Sequence, residues 1–274
     1  VVLLDSALTN VASAKALIQD GVGVGGTYAA TVGVDTLVGT DQNDAFTATQ
    51  LTMTALDSFA GGLGADTLTI NDTAGDSVTL TNKTFSGIET VVWNSASTFN
   101  AANAIDTRLA IPGLTSLTLV SATDANNVIT VGKATTVNIV NTTAQTLSVI
   151  GGSGDLSVAN GAAVTVGGGT VPQKFTSVTI TGAGSHVVTD DSGVSAVTGL
   201  DDGSTGSLIS TITTSKATAL TATGKGITEV NMASGASTAT ITAAVAVGGT
   251  RTATYNLTKT TTGTIADASA TTVN

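Results

Sequence analysis

Short runs of alternating apolar and polar residues fill most of the chain after residue 70. One six-residue phrase recurs, with apolar residues usually at its first, fourth and sixth positions and polar residues at its second and third. Alternation with a period of two predicts short β-strands that bury one face. The copies of the phrase are Ile88–Trp93, Leu114–Leu119, Ala134–Ile139, Phe175–Ile180 and Ile227–Met232.

The intervals between these phrases predict an all-β fold, a parallel β-solenoid with several short strands in each turn. Val91 and Leu117 are 26 residues apart, Leu117 and Val137 are 20 apart, and Val137 and Val178 are 41 apart, which is about two such steps. A β-sandwich or tandem immunoglobulin-like domains would also give short alternating strands. The single Trp and the frequent Gly-Gly breaks favour the solenoid.

The amino-terminal part of the chain has a different pattern. Apolar residues at helical spacing predict one short helix over residues 5–19, which Gly21 ends. These apolar residues are Leu8, Val11, Ala14 and Ile18. We expect this helix to cap an end of the solenoid or to link it to a preceding domain. Residues 20–33 are Gly-rich and predict a loop.

Composition limits the class of protein. Hydrophobic residues make up 41% of the 274 residues, which is too many for a disordered chain, while aromatic residues make up only 3%. Small β-branched side chains suit the thin core of a solenoid better than the single deep core of a compact enzyme. Cysteine is absent, so an extracellular form would need a brace other than disulfide bonds.

The net charge of −10 excludes a basic footprint for nucleic acid. Asp outnumbers Glu by 17 to 2, and Asp is the carboxylate typical of turns and metal-binding loops. A negative charge also favours solubility, and both explanations can hold.

Two similar segments, Asp35–Thr47 and Asp57–Thr69, predict calcium-binding loops. Residues 61–69 form a complete G-G-x-G-x-D-x-U-x nonapeptide, the calcium-binding repeat of parallel β-rolls. Ca²⁺ takes carboxylate and backbone carbonyl oxygens, and glycine allows turns that direct several carbonyls to one point. The first copy carries Thr40 and Gln42 where glycine is usual.

The residues predicted to form the calcium sites fall into two groups. The predicted oxygen ligands are Asp35, Asp41, Asn43, Asp44, Asp57, Asp66 and Asp72. The predicted loop-forming glycines are Gly39, Gly61, Gly62 and Gly64.

Two further acidic pairs, Asp190-Asp191 and Asp201-Asp202, are open to three interpretations. They are solvated loop turns, additional calcium turns, or a carboxylate pair that cleaves polysaccharide as β-helix enzymes do. We expect no enzyme activity, because no triad, phosphate loop or zinc spacing is present. His186 is expected to be structural. Repeated Thr-x-Thr segments suggest an ice-binding face only weakly, because their intervals are irregular.

Residues 33–94 resemble bacterial S-layer and related cell-surface proteins with repeats-in-toxin (RTX) calcium motifs. The resemblance lies in residues 39–46, in residues 61–68, and in the phrase Ser86-Gly87-Ile88-Glu89-Thr90, which in that family opens a long Thr/Ala/Val/Gly-rich β domain. It implies Ca²⁺ as the bound ion, type I secretion, a place at the cell surface, and calcium-dependent assembly into a two-dimensional lattice. Toxins, proteases and adhesins share the nonapeptide, so an adhesin or a biofilm-matrix filament with the same β-solenoid fold is an open alternative.

We therefore predict three segments: a helix and linker in residues 1–32, an RTX-like calcium element in residues 33–72, and a β-solenoid in residues 73–274. The expected partners are copies of the chain and cell-envelope polysaccharide. Nucleic acid is not expected, and no run of 18 apolar residues predicts membrane insertion. The segment Ala134–Asn138 recurs as Ala270–Asn274, so we expect the chain to be part of a longer polypeptide.

Overall fold

A computed structural model of the chain gives its architecture. It describes residues 24–72, 78–95, 105–121, 127–132, 135–167, 174–181, 185–189, 209–215, 219–224, 226–235, 238–242, 252–260, 265–267 and 272–273. The helix predicted over residues 5–19 and the acidic pairs at 190–191 and 201–202 lie outside these residues.

The described residues form short strands and one helical turn. In chain order the elements are β1 (Thr27–Ala29), β2 (Thr36–Val38), β3 (Ala45–Thr49), β4 (Ser58–Ala60), β5 (Thr67–Asp72), β6 (Thr84–Ser86), β7 (Thr90–Ser95), β8 (Ile105–Asp106), α1 (Thr107–Ala110), β9 (Ser116–Ser121), β10 (Asn127–Thr130), β11 (Thr136–Ile150), β12 (Ser153–Val166), β13 (Lys174–Thr181), β14 (Ser185–Thr189), β15 (Thr211–Ser215), β16 (Ala219–Thr223), β17 (Glu229–Gly235), β18 (Thr238–Thr242), β19 (Thr252–Thr260), β20 (Ile265–Asp267) and β21 (Thr272–Val273).

Strands from successive turns stack in parallel, which confirms the predicted β-solenoid. One continuous stack runs from β1 through β3, β5, β7, β9, β11, β12, β13, β15, β17 and β19 to β21. A separate three-stranded sheet contains β2, β4 and β6. All pairings among the described strands are parallel, whereas a β-sandwich is built from antiparallel hairpins, so the sandwich alternative is excluded.

The recurring phrase forms the inner face of the main stack. Its fourth positions pair in register, so that Val91 lies beside Leu117 and Leu117 beside Val137. These side chains are fully buried or nearly so. Trp93, two residues after Val91, belongs to a second buried column, in which it lies between Ile70 and Leu119. The apolar core is therefore a set of columns, each of which adds one side chain per turn.

The long interval between Val137 and Val178 is two turns, as predicted. Leu156 in β12 lies between them, because Ile139 pairs with Val158 and Leu156 pairs with Val178. β12 departs from the phrase at its first position, where Ser153 stands instead of an apolar residue, while Leu156 and Val158 keep the apolar fourth and sixth positions. Leu156 is nevertheless as buried as its neighbours in the column.

The amino-terminal turns contain an aromatic ladder. The Tyr28 and Phe46 rings stack with centroids 4.9 Å apart, and Phe59 and Phe85 stack at 5.4 Å. Phe46 and Phe59 meet edge to face at 6.2 Å, so the ladder joins the main stack to the three-stranded sheet. Such ring pairs contribute on the order of 1 kcal/mol each beyond the area that they bury.

Two features differ from or extend the prediction. The segment 20–33 was predicted as a loop, but Thr27–Ala29 forms β1 and pairs with residues 45–47. The alternation pattern did not predict this strand, because it has only three residues and glycines precede it. The stack also continues without a break from β5 to β7, across residue 72, where the predicted calcium element gives way to the predicted solenoid segment.

His186 lies inside the core, 1% exposed, which fits its expected structural role. None of the described residues forms a helix with the length and apolar character that a bilayer crossing needs.

Candidate metal centre

The acidic residues of the two repeat copies lie at two corners of the solenoid, one before the strands of the main stack and one before those of the three-stranded sheet. Asp44, Asp66 and Glu89 each directly precede a strand of the main stack, and they stand at or next to equivalent positions of successive turns. We call this set the Glu89 corner. Asp35, Asp57 and Lys83 precede β2, β4 and β6 in the same way, and we call them the Lys83 corner.

At the Glu89 corner each carboxylate accepts a hydrogen bond from the backbone N–H of the preceding turn. The N–H of Gly26 donates to Oδ1 of Asp44, and the N–H of Asp44 donates to Oδ1 of Asp66 at 2.7 Å. The N–H of Asp66 donates to Oε2 of Glu89 at 2.8 Å. These amides belong to the residues directly before β1, β3 and β5, so the carboxylates satisfy donors that would otherwise lack a partner where the chain enters the sheet.

At the Lys83 corner the same bond joins two turns. The N–H of Asp35 donates to Oδ1 of Asp57 at 2.9 Å. Thr54 completes the shell of Asp57, since its N–H donates to Oδ2 at 2.6 Å and its hydroxyl to Oδ1 at 2.9 Å. Burial lowers the pKa of Lys83, and the negative charge of Asp57 opposes that shift. A basic side chain therefore belongs to this corner.

In the first repeat copy the carboxylate of Asp44 is fully engaged. Besides the bond from Gly26, Oδ2 accepts the N–H of Thr40 at 2.6 Å, and the Thr40 hydroxyl lies 3.1 Å from both oxygens. Three donors therefore reach Asp44, and both of its oxygens have a partner, because the single Thr40 hydroxyl proton is shared between them. Thr40, which stands where the calcium repeat usually has glycine, thus supplies the Asp44 carboxylate with a hydrogen-bond partner from the protein itself.

In the second copy the carboxylate of Asp66 keeps one oxygen without a partner. Gly62 stands where Thr40 stands in the first copy, has no hydroxyl, and adopts a φ of 104°. Oδ2 of Asp66 is buried and makes no hydrogen bond, and the whole residue is 0% exposed. Burial raises the pKa of Asp66, the charges of Glu89 and Asp44 add to the increase, and the bond from the Asp44 N–H counteracts it.

Close packing of glycines brings a carbonyl oxygen to this orphaned carboxylate oxygen. A Cβ at Gly61 would lie 1.8 Å from the carbonyl oxygen of Gly87 and 2.3 Å from Oδ2 of Asp66. Only glycine allows these two oxygens to converge there. One turn earlier, a Cβ at Gly39 would meet the Gly61 carbonyl oxygen and Oδ2 of Asp44 in the same way. The arrangement is thus a property of the repeat.

The other predicted residues are distributed as follows. Gly64 has a φ of 119° and packs against the backbone of Gln42, as expected for a loop-forming glycine. The side-chain oxygen of Asn43 accepts the N–H of Ala65 at 2.9 Å, so Asn43 also bridges two turns. Asp41 is exposed. Asp72 is buried at the far end of β5, roughly 20 Å along the strand from Asp66. The structure therefore does not bring Asp72 to the same site.

Two members of these corners, Glu89 and Lys83, were not predicted as site residues. Glu89 follows Asp66 by 23 residues, close to the 22 that separate Asp44 from Asp66, so the spacing could have identified it. Lys83 follows Asp57 by 26 residues and is not acidic, so no signal in the repeat pointed to it.

These residues fit a cation that draws mainly on backbone oxygens. Within the described part of the chain, no three Asp, Glu, His or Cys side chains come together in a way that could hold a metal ion. The repeat supplies instead an unpartnered carboxylate oxygen beside a carbonyl oxygen, and Ca²⁺ accepts ligands of both kinds. No model of a known protein family matches the chain, and a search of curated proteins finds no match either.

Proposed function

We propose that this chain is a structural segment of a bacterial cell-surface layer, a β-solenoid that calcium rigidifies and that packs against copies of itself. The observation that carries the proposal is Oδ2 of Asp66, a buried carboxylate oxygen without a partner inside a complete calcium nonapeptide. A buried charge of this kind is unfavourable unless a cation or a proton neutralises it.

Asp66 and the carbonyl oxygen of Gly87 would hold the ion. They belong to adjacent turns, so the ion would supply both charge neutralisation and a cross-link between turns. The amide that caps Asp66 comes from a third turn, through Asp44. In the first copy, Asp44 would have to release Thr40 before it could bind metal, so the second copy is the stronger site.

Calcium would act by coupling ion binding to folding. An ion that binds only the folded state stabilises it, by about 2.7 kcal/mol when the free ion is at 100 times its dissociation constant. Extracellular calcium is millimolar, so even weak sites fill outside the cell. The segment would therefore be loose before export and stiff after it. Type I secretion and a cell-surface location belong to this proposal.

Assembly would use the surfaces that the solenoid leaves free. The outward positions of the strands are rich in Thr, Ser and Asn, and parallel strands at the ends of a stack carry unpaired backbone groups. Symmetry repeats each weak contact many times in a lattice. Copies of the chain are therefore the main proposed partners, and cell-envelope polysaccharide is a second.

Negative-stain electron microscopy with calcium, with excess EDTA, and with magnesium in place of calcium tests this function. We expect ordered planar sheets with calcium only, because Mg²⁺ keeps its waters and requires octahedral geometry. Sheets that persist in EDTA would contradict the proposal. Filaments or single particles in calcium would instead favour an adhesin or biofilm-matrix filament.

One observation favours that second candidate. A cavity of about 260 Å³ opens beside α1 and is lined by Thr107, Arg108, Ile111, Thr115 and Thr135, among others. Its size and its mixed lining suit a single sugar unit of a surface polysaccharide. Binding of cell-envelope polysaccharide that Arg108→Ala abolishes, without loss of folding, would support this candidate.

A further inference from the structure

We infer that Glu89 is an additional cation ligand and that the cation site is confined to the Glu89 corner, while Lys83 serves the Lys83 corner as a built-in cation. This inference rests on the proposed calcium function and specifies which residues hold the ion. Glu89 lies outside the nonapeptide, in the turn that follows it.

Glu89 lies against the backbone of Asp66. Its Oε2 accepts the N–H of Asp66 at 2.8 Å, which places a second carboxylate at the residue that carries the unpartnered oxygen. The negative charge of Glu89 contributes to the raised pKa of Asp66. Gly87, whose carbonyl oxygen converges with Oδ2 of Asp66, is two residues before Glu89. One turn, Gly87 to Glu89, thus brings both a carbonyl oxygen and a carboxylate to Asp66.

The charges of the two corners differ. Among the residues that the structure describes, the groups that shift the pKa of Asp66 include two carboxylates and no basic side chain. At the Lys83 corner, Lys83 takes the place after Asp57 that Glu89 takes after Asp66, and Asp57 already has hydrogen bonds to both oxygens. The Glu89 corner therefore needs a cation from solution, whereas the Lys83 corner carries its own.

Glu89 is also where the acidic column ends. In the next two turns the equivalent residues are Thr115 and Thr135, whose hydroxyls donate to a carbonyl oxygen of the preceding turn, Thr115 to Glu89 at 3.1 Å and Thr135 to Leu114 at 2.9 Å. Thr228 donates to Ser210 in the same way at 3.4 Å. Neutral hydroxyls need no counter-ion, so Glu89 is the last residue of this column that we assign to the cation site.

Isothermal titration of calcium into the calcium-free full chain, together with thermal unfolding, tests this inference. Glu89→Gln keeps an acceptor for the Asp66 N–H but removes the charge, and we expect calcium affinity to fall at least tenfold. Glu229→Gln is the matched control, since Glu229 is the only other Glu and accepts hydrogen bonds from Asn231 and Asn256. It should bind calcium like the parent chain.

Lys83→Gln gives the converse test. Removing the positive charge leaves the Asp57 carboxylate without a positive neighbour, so we expect the calcium-free chain to unfold at a lower temperature. The calcium stoichiometry should stay the same, because hydrogen bonds already occupy both oxygens of Asp57. An unchanged unfolding temperature would overturn the function assigned to Lys83.

The outcomes separate this inference from the proposed function. If the parent chain binds no calcium, the proposed function fails and the inference fails with it. If the parent chain binds calcium and Glu89→Gln binds it equally well, only the inference fails. Should Glu89→Gln lose its folded circular dichroism spectrum, Glu89→Asp, which keeps the charge on a shorter side chain, must show at least a threefold loss of affinity with a native spectrum.

Discussion

The backbone N–H of Asp44 donates a 2.7 Å hydrogen bond to Oδ1 of Asp66, which stands one turn further along the solenoid. The same carboxylate therefore has two functions on its two oxygens. Oδ1 holds adjacent turns together, whereas Oδ2 is buried without a partner. The side chain of Asp66 thus caps the adjacent turn with one oxygen and is a candidate metal ligand with the other. The first repeat copy differs, because both oxygens of Asp44 have hydrogen-bond partners.

The substitution Asp66→Asn separates these two functions. The amide side chain keeps an acceptor for the Asp44 N–H and removes the buried charge, so we expect unfolding in EDTA at the same temperature as the parent chain or higher. The increase in unfolding temperature on calcium addition should vanish. Asp66→Ala is the control, because it leaves the N–H of Asp44 without its acceptor and should cost about 1–3 kcal/mol in EDTA, in addition to losing the stabilisation by calcium. A calcium-dependent increase that survives Asp66→Asn would exclude Asp66 as a ligand.

The double substitution Thr40→Gly and Gln42→Gly restores the nonapeptide pattern in the first copy. It removes the hydroxyl that engages Asp44 and allows the positive φ that Gly62 and Gly64 adopt in the second copy. We expect calcium stoichiometry to increase by one in titration calorimetry, at a cost of about 1–2 kcal/mol in stability without calcium.

The matched control for this variant is Thr81→Gly with Asn82→Gly, which places two glycines in an exposed turn away from the Glu89 corner. This control adds the same two glycines to the unfolded chain and should gain no calcium ion. An identical stoichiometry in the restored-repeat variant and the control would show that Thr40 does not block the first copy.

Thr214 offers a test of the core. Its side chain is 1% exposed, it lies in an inward column between Ile180 and Met232, and its hydroxyl has no hydrogen-bond partner. Thr214→Val replaces the hydroxyl by a methyl group of similar size, so we expect stabilisation of about 1 kcal/mol in denaturant unfolding.

The adjacent Thr213 is the control for this core test, because it points outward and accepts a hydrogen bond from Asn231. Thr213→Val should bring no gain. Equal effects of the two substitutions would mean that β-propensity, and not the buried hydroxyl, determines the change.

Asp106 predicts a pH dependence of stability. The hydrogen bonds from Arg108 hold the pKa of Asp106 below its ordinary value of 3.8. The ionised Asp106 therefore stabilises the folded state above about pH 3.8, and this stabilisation is lost as the pH falls through the lowered pKa of the folded state. Both side chains are more than a third exposed, so the ion pair contributes roughly 0.5 kcal/mol or less.

Asp106→Asn isolates the ion pair, because Asn remains a good helix N-cap for α1. We expect it to be slightly less stable than the parent chain at about pH 6 and equal to it at about pH 2, as measured by thermal unfolding. If Asp106→Asn is less stable than the parent chain by the same amount at both pH values, the loss comes from weaker N-capping of α1 and not from the lost charge.

Period-two alternation and turn spacing were sufficient to predict the parallel solenoid and its inward residues. In a solenoid the inward side chains of successive turns stack on one another, so equivalent apolar positions show which residues pair. Val91, Leu117 and Val137 are such positions, and they pair in the structure. Two turns were not predicted individually. β1 has only three residues and follows glycines, and the turn around Leu156 has Ser153 at the first position of the phrase, where an apolar residue is usual.

The repeat, the glycine positions and the excess of Asp in turns are evident in the linear chain, because they depend on short-range backbone chemistry. The same holds for Thr40 and Thr54, which lie four and three residues from the carboxylates that they contact, Asp44 and Asp57. Glu89 contacts the amide of Asp66, 23 residues away, only because folding stacks successive turns side by side. Whether Asp66 needs a cation therefore depends on neighbours from other turns, and no linear motif contains those neighbours.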